Sequence, residues 1–395
     1  MDFDLTWLLW GLPVAFALGW FASRLDLRQM RIENRLAPKA YFRGLNFLLN
    51  EQSDKAIDAF IDVVRIEPET VELHFALGNL FRRRGESDRA IRVHQNLVDR
   101  AGLDPAEREH ALYELGQDFL KAGLLDRAED AFNRLESSRY APSALHHRLE
   151  IAQMVRDWPQ SISLAQRLAR DLGENRGREI AHFRCELAQR ALLAAPGPAR
   201  IEEARRELDE AVRAEPSHPR PWLLKGETAL AEGDAAAAIT AWQKVARASP
   251  QHLSLVADGW LRAHEMAGRR DQGMASLEAI HREHPSIDSF AALASARAAR
   301  DGNGSARRWA EQALREAPSL LGLEKLLAMK APVVEGEERA EVELAQRLIQ
   351  AQARRLSRYV CRNCGFKARQ FYWHCPGCNQ WDTYAPKRSE ELERD

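Results

Sequence analysis

Four cysteines, Cys361, Cys364, Cys375 and Cys378, fall within 18 residues near the C-terminal end of this sequence. They form two Cys-x-x-Cys turns, Cys361-Arg-Asn-Cys364 and Cys375-Pro-Gly-Cys378, with ten residues between them. Each turn places two thiolates and several backbone N–H groups around one point, and the pair completes a tetrahedral four-sulfur shell for one ion. Gly365 and Gly377 fit the tight turns of such knuckles, where positive φ is needed. Four thiolates leave no open coordination position, so the site is structural or electron-transferring and not hydrolytic. A pair of disulfides is the competing use of these residues. It requires an oxidising compartment, and five cysteines in 395 residues are too few for a disulfide scaffold.

The rest of the chain offers little chemistry. His264-Glu265 begins like a zinc-protease helix but lacks the second histidine. Gly302-Asn303-Gly304 has no phosphate-binding continuation, and His281 and His284 precede Pro285 without a carboxylate arrangement. Cys185 stands alone on a helical stretch and reads as a small buried apolar residue. His374 adjoins a ligand but is redundant once four cysteines bind; it belongs beside the site or at the surface. No nucleophile–base pair or carboxylate pair has a usable spacing, so the expectation is a protein that is not an enzyme.

Tetrahedral sulfur suits zinc or a single iron. The two turns, with Tyr359, Phe366, Phe371, Trp373 and Trp381 around them, resemble rubredoxin over about 25 residues. The gap between knuckles is much shorter than in rubredoxin, and Asn379 stands where a glycine is common. The resemblance favours iron, with zinc also compatible. A metal is worth on the order of 10–16 kcal/mol to such a module, more than so small a core supplies. The reading is a four-cysteine metal-binding domain over 357–385, held mainly by its ion, and a charged tail over 386–395.

The elements that carry this domain are helical. Residues 37–318 show self-similarity near 34 residues, clearest in Pro221-Trp222-Leu-Leu-Lys-Gly226 through Gly233, Ala238 and Trp242 to Pro250. This resembles the tetratricopeptide repeat: small residues at positions 8 and 20, a helix-breaking glycine at 15, a bulky residue at 24 and proline at 32. Further copies carry Gly44, Ala56 and Phe60; Gly78, Gly85 and Ala90; and Gly116, Gly123, Ala128 and Phe132, with weaker ones making about eight. Small residues at 8 and 20 let paired helices approach, the bulky residue at 24 fills the next gap, and neighbours stack into a superhelix with a concave face. By register Phe75, Asn79, Arg82, Tyr113 and Gln117 face that groove. Residues 320–327 and 337–356 read as capping helices within 319–356, interrupted at Pro332 and Gly336.

Residues 5–22 are an 18-residue run without a charge, spanning about 27 Å as a helix. Trp7, Trp10 and Trp20 sit toward its ends, and Arg24, Arg28, Arg31, Arg35 and Lys39 follow it. The expectation is a single-pass anchor over 1–23 and a basic juxtamembrane segment over 24–36, with the N-terminus outside and the bulk of the chain cytoplasmic. Across the whole chain, 57 Lys and Arg balance 58 Asp and Glu. That balance argues against a protein that coats nucleic acid.

Anchor, repeats and knuckle pair, in that order, resemble the lipopolysaccharide assembly protein B family of Gram-negative inner membranes, notably through Cys361 to Phe366 and Trp373 to Trp381. The resemblance implies an all-α, membrane-anchored adaptor with a small C-terminal rubredoxin-like metal domain. It further implies that the adaptor presents the committing lipid A deacetylase to a membrane-bound AAA+ protease, among other lipopolysaccharide assembly partners, with the four cysteines as metal ligands. Two rival expectations are an electron carrier docked by its repeats and a general scaffold for membrane assembly enzymes.

Overall fold

The structure is a computed structural model that describes residues 14–20, 42–44, 46–47, 49–50, 52–66, 70–194 and 197–392. The basic stretch 24–36 and most of the expected anchor lie outside the described residues; 14–20 is helical. Among the described residues no helix is long and apolar enough to cross a membrane. The chain divides into two compact units, Met1–Ile151 and Ala152–Asp395.

The first unit holds helices α1 (Ser53–Ile66), α2 (Val71–Arg83), α3 (Ser87–Asp99), α4 (Pro105–Lys121) and α5 (Leu125–Asn133), and α6 (Ala141–Met154) begins in it. Local chemistry sets the ends: the Asp104 carboxylate accepts the Ala106 N–H at 2.9 Å, with Pro105 in the first turn. Two apolar clusters run through the unit, one around Phe60, Leu73 and Phe81, the other around Leu115, Phe119 and Phe132.

The second unit continues with α7 (Trp158–Leu172), α8 (Gly177–Leu193), α9 (Pro198–Ala214), α10 (Pro219–Ala231), α11 (Ala235–Ala248), a 3₁₀ turn (Pro250–Val256), α12 (Ala257–Met266) and α13 (Arg270–Glu283). Then come α14 (Ile287–Asp301), α15 (Asn303–Glu316), α16 (Leu320–Lys330) and α17 (Gly336–Leu356). Strands β1 (Tyr359–Val360) and β2 (Lys367–Ala368) pair antiparallel, Tyr359 opposite Ala368, and α18 (Ser389–Leu392) ends the described chain. The fold is thus an all-α repeat array with a small C-terminal β-ribbon. Its central cluster is built on Trp242, Leu253, Trp260, Leu277 and Leu293.

The repeat spacing has a local cause as well as the expected one. The bulky residue at position 24 reaches the next repeat, where Phe132 stacks on His147 at 4.8 Å and Trp242 lies against Gly259, and it also lies over the glycine at position 8 of its own repeat. A Cβ on Gly44 would sit 2.9 Å from the Phe60 ring, and one on Gly116 would sit 2.8 Å from the Phe132 ring. His94 occupies the same place over Gly78, and Trp242 over Gly226. Trp242 also donates its indole N–H to the Leu223 carbonyl at 3.1 Å, so its polar atom is satisfied in the core. Between the helices Gly233 takes φ +85°, which no L side chain adopts cheaply.

Phe132 is fully buried and has no room to retreat. Gly116→Ala is therefore expected to cost about 1–3 kcal/mol, read as a lower denaturant midpoint with the metal content unchanged. An unaltered midpoint would mean that the ring is free to move.

Candidate metal centre and its seat on the repeats

The ribbon brings the four predicted cysteines together: their Sγ atoms lie within 4.8 Å of one another. Across the two knuckles, Cys361 Sγ is 3.8 Å from Cys378 Sγ and Cys364 Sγ is 3.7 Å from Cys375 Sγ. A tetrahedral ion with metal–sulfur bonds of about 2.3 Å requires sulfur–sulfur edges of about 3.8 Å. Disulfides would require about 2.05 Å. The donor set therefore fits one thiolate-bound ion, as zinc or iron would be.

The knuckles are near copies. The Gly365 N–H donates to the Cys361 carbonyl, and the Asn379 N–H to the Cys375 carbonyl, both at 2.9 Å. Gly365 has φ +75° and Asn379 φ +54°. This corrects the expected roles: Gly377 is not the left-handed residue of the second turn. Asn379 is, since asparagine tolerates that region better than most side chains. Gly377 is small for another reason. A Cβ there would lie 3.3 Å from Phe366 Cβ and 3.4 Å from Cys364 Sγ, so it lets one knuckle close on the other.

The aromatic residues divide into two groups. Tyr359, Tyr384 and Phe371 pack around Cys361 and Cys375, whereas Phe366 is 43% exposed. Trp373 and Trp381 leave the ribbon and enter the array. Trp381 stacks on His182 with centroids 4.4 Å apart and donates its indole N–H to Gln153 at 2.9 Å. Trp373 stacks on His252 at 5.4 Å. His374 also stacks on Trp381, at 4.3 Å, and so braces the docking ring.

Asp382 completes the seat. Arg178 Nε donates to its carboxylate at 2.6 Å and His182 Nε2 at 3.0 Å. With His218 these groups form a second cluster of metal-ligand types, but the proton positions disfavour a cation. Nδ1 of His182 accepts from the Arg220 guanidinium at 3.2 Å, and Nδ1 of His218 from the Arg220 backbone N–H at 3.1 Å. His182 thus keeps its proton on Nε2, directed at Asp382, while His218 Nε2 lies 3.0 Å from His182 Nε2 and 3.8 Å from the carboxylate. With Arg178 and Arg220 beside them, these groups clamp a carboxylate.

The charged tail engages the array through residues 388–391. Arg388 pairs with Asp288 at 2.8 Å. Glu390 accepts the Leu321 N–H at 3.1 Å and the Leu320 N–H at the start of α16, and Glu391 accepts the Ile287 N–H at 2.6 Å at the start of α14. Both glutamates are buried, satisfying orphan donors at two helix N-termini.

The five groove candidates lie in the first unit, and most are engaged between repeats. Phe75 is buried and stacked on His110 at 4.1 Å, and Tyr113 is stacked on Tyr140 at 4.7 Å. Arg82 bridges Glu114 at 2.5 Å and Asp118 at 2.9 Å, and also donates to Asn79 at 2.6 Å. Burial would raise the Glu114 carboxyl, yet hydrogen bonds from His110 and Arg82 hold it at about 2. Gln117 is half-buried on α4. Sequence reasoning overlooked Gln153, Arg178, His182, His218, Arg220 and His252, which receive the ribbon. A visible sign was the recurrence of histidine at 182, 218 and 252, at spacings of 36 and 34 residues that match the repeat.

Residues 359–386 match a zinc-ribbon family profile described as a rubredoxin metal-binding domain, and residues 43–105, 75–144 and 199–252 match a tetratricopeptide-repeat profile. Lipopolysaccharide assembly protein B of Escherichia coli K12 is 35% identical over 382 residues, covering 95% of this chain and 97% of that protein. The chain belongs to the lipopolysaccharide assembly protein B family. The Haemophilus influenzae member is 29% identical, covering 96% of this chain and 98% of its own. Among solved structures, a tetratricopeptide repeat protein from Parabacteroides merdae is 13% identical, covers 75% of this chain and 98% of its own, and has a TM-score of 0.28. With repeats and a metal-type ribbon as its parts and assembly proteins as its relatives, this member is not an enzyme.

Two outcomes follow from the seat. Cys361→Ser or metal chelation is expected to unseat the ribbon, exposing Trp373 and Trp381 and red-shifting tryptophan emission; unchanged emission from metal-free protein would refute the coupling. Burial pushes His182 down to about 3 and His252 down to about 4. Both rings stay neutral when folded, while the unfolded chain takes up protons below about 6.5. Stability is therefore lost as pH falls, by up to about 1.4 kcal/mol per pH unit per ring. Melting between pH 7.5 and 5, with metal content checked, should show this slope, and His182→Gln with His252→Gln should flatten it.

Proposed function

We propose that this chain is a membrane-anchored, non-enzymatic adaptor in lipopolysaccharide assembly, presenting the committing lipid A deacetylase to a membrane-bound AAA+ protease. The observation that carries the reading is its 35% identity, over 95% of its length, to a lipopolysaccharide assembly protein. Repeat arrays bind proteins along an extended face, which suits a chain whose task is to hold partners together. The four cysteines serve as ligands of one structural ion, iron or zinc, and the seated ribbon keeps the array in its working shape.

The anchor is supported by the uncharged run 5–22 and by the side chains seen at its end. Phe16 is 77% exposed and Leu18 67% exposed, which makes residues 14–20 an apolar helical surface. Gly19 is open, so a neighbouring membrane helix could approach closely there. Confinement to the membrane layer raises the effective concentration of adaptor and protease without new contacts.

A second reading, electron transfer through a ribbon-bound iron, draws on the exposure of Cys364. A visible thiolate-to-iron band that bleaches reversibly on reduction would favour it. Colourless, zinc-loaded protein with full activity would exclude it.

Capture of the tagged full-length protein from solubilised membranes should recover the protease and the deacetylase, and deleting residues 1–23 should lose the protease. The deacetylase should live several-fold longer in cells lacking the chain. An unchanged lifetime would leave a scaffold without a role in proteolysis.

A further inference from the structure

Helices α14 and α16, the last turns of α17 and the seated ribbon surround a cavity of about 800 Å³. Its charged lining is lopsided: Lys325, Arg355, Arg358, Arg369 and Arg388 against Asp288 and Glu324. Both carboxylates are already engaged. Asp288 holds Arg388 at 2.8 Å and the Tyr359 hydroxyl at 2.9 Å, and Glu324 holds Lys325 at 3.4 Å. Among the described residues no carboxylate pairs with Arg355, Arg358 or Arg369, and Arg358 Nε is buried without a hydrogen-bond partner. Withdrawing the Arg358 Nε–H from water without a partner is costly, and with the exposed Arg355 and Arg369 beside it there is a surplus of donors around one space.

We propose that this cavity binds a phosphate-bearing ligand. A single carboxylate satisfies one guanidinium fork, whereas the terminal oxygens of a phosphate accept from several at once. Ile287, Ala291, Leu321 and Ala353 supply an apolar wall that can take the body carrying the phosphate. The volume lies within the range of about 300–1,000 Å³ used for compact organic ligands. Arg369 comes from between the knuckles and Arg388 from the tail, so the site exists only while the ribbon is seated. A bound anion therefore stabilises the seat. None of this depends on the adaptor reading.

The test is calorimetric titration of the metal-loaded full chain in neutral detergent. The probes are inorganic pyrophosphate, detergent-dispersed phosphatidate and a hexaglutamate peptide. Salt-sensitive binding of either phosphate probe is expected, weakened at least about tenfold by Arg355→Gln combined with Arg369→Gln. Both side chains are exposed, and an unchanged melting temperature and metal content would show that the fold is kept. Tighter binding of phosphatidate assigns a lipid headgroup, and equal or tighter binding of pyrophosphate assigns a free phosphate. The proposal falls if neither phosphate binds, if the double variant binds like the parent, or if only hexaglutamate binds. Should the glutamine pair misfold, Arg355→Lys with Arg369→Lys keeps charge and loses the forks; undiminished phosphate binding there also overturns it.

Discussion

The convergence of four sulfur atoms, with cross-knuckle edges of 3.7 and 3.8 Å, is the constraint on which the C-terminal unit depends. Two β-strands of two residues each cannot hold a fold by backbone pairing. Once the thiols share a centre, the segment between and after the knuckles has a defined shape. That shape aims Trp373, Trp381 and Asp382 in one direction. Their targets, His182 and Arg178 on α8 and His252 in the 3₁₀ turn, come from two separate repeats of the array. A small local chemistry is thereby converted into a contact that ties distant helices together.

The array prepares for that contact by leaving polar groups where most repeats would bury apolar ones. His182 and His218 are buried, and both Nδ1 atoms accept donors from Arg220. This fixes the His182 proton on Nε2, facing Asp382. Burial keeps the rings neutral, and the carboxylate, held well below its usual range against burial by hydrogen bonds from His182 and Arg178, stays charged. Glu390 and Glu391 act the same way at the other end of the seat, as anions set against helix N-termini. These are directional contacts and they select one docking pose, where apolar burial alone would tolerate several.

Much of this was legible in the order of residues. The tetrahedral donor set follows from two Cys-x-x-Cys turns, because spacing within a turn is enough to place two thiolates at one ion. The repeat follows from periodic glycine, alanine and aromatic positions, because a ring at position 24 over a glycine at position 8 is a contact within one helical hairpin, as Phe132 over Gly116 shows. The family resemblance was likewise present in motifs carried by contiguous residues.

What tertiary structure decided are pairings between residues far apart in the chain. No local pattern connects Asp382 to His182, or Trp381 to Gln153, some 200 residues away. Register placed Phe75, Tyr113 and Arg82 in a groove, but only packing shows them bound to His110, Tyr140, Glu114 and Asp118. The role of Gly377 was also settled there, since it is the contact with Phe366 and Cys364 across the knuckles that needs a small residue. The sequence alone determined the metal-type donor set and the repeating helical hairpin, whose causes are local. The folded chain decided which polar side chains meet, because that depends on how the array presents its inner face to the ribbon.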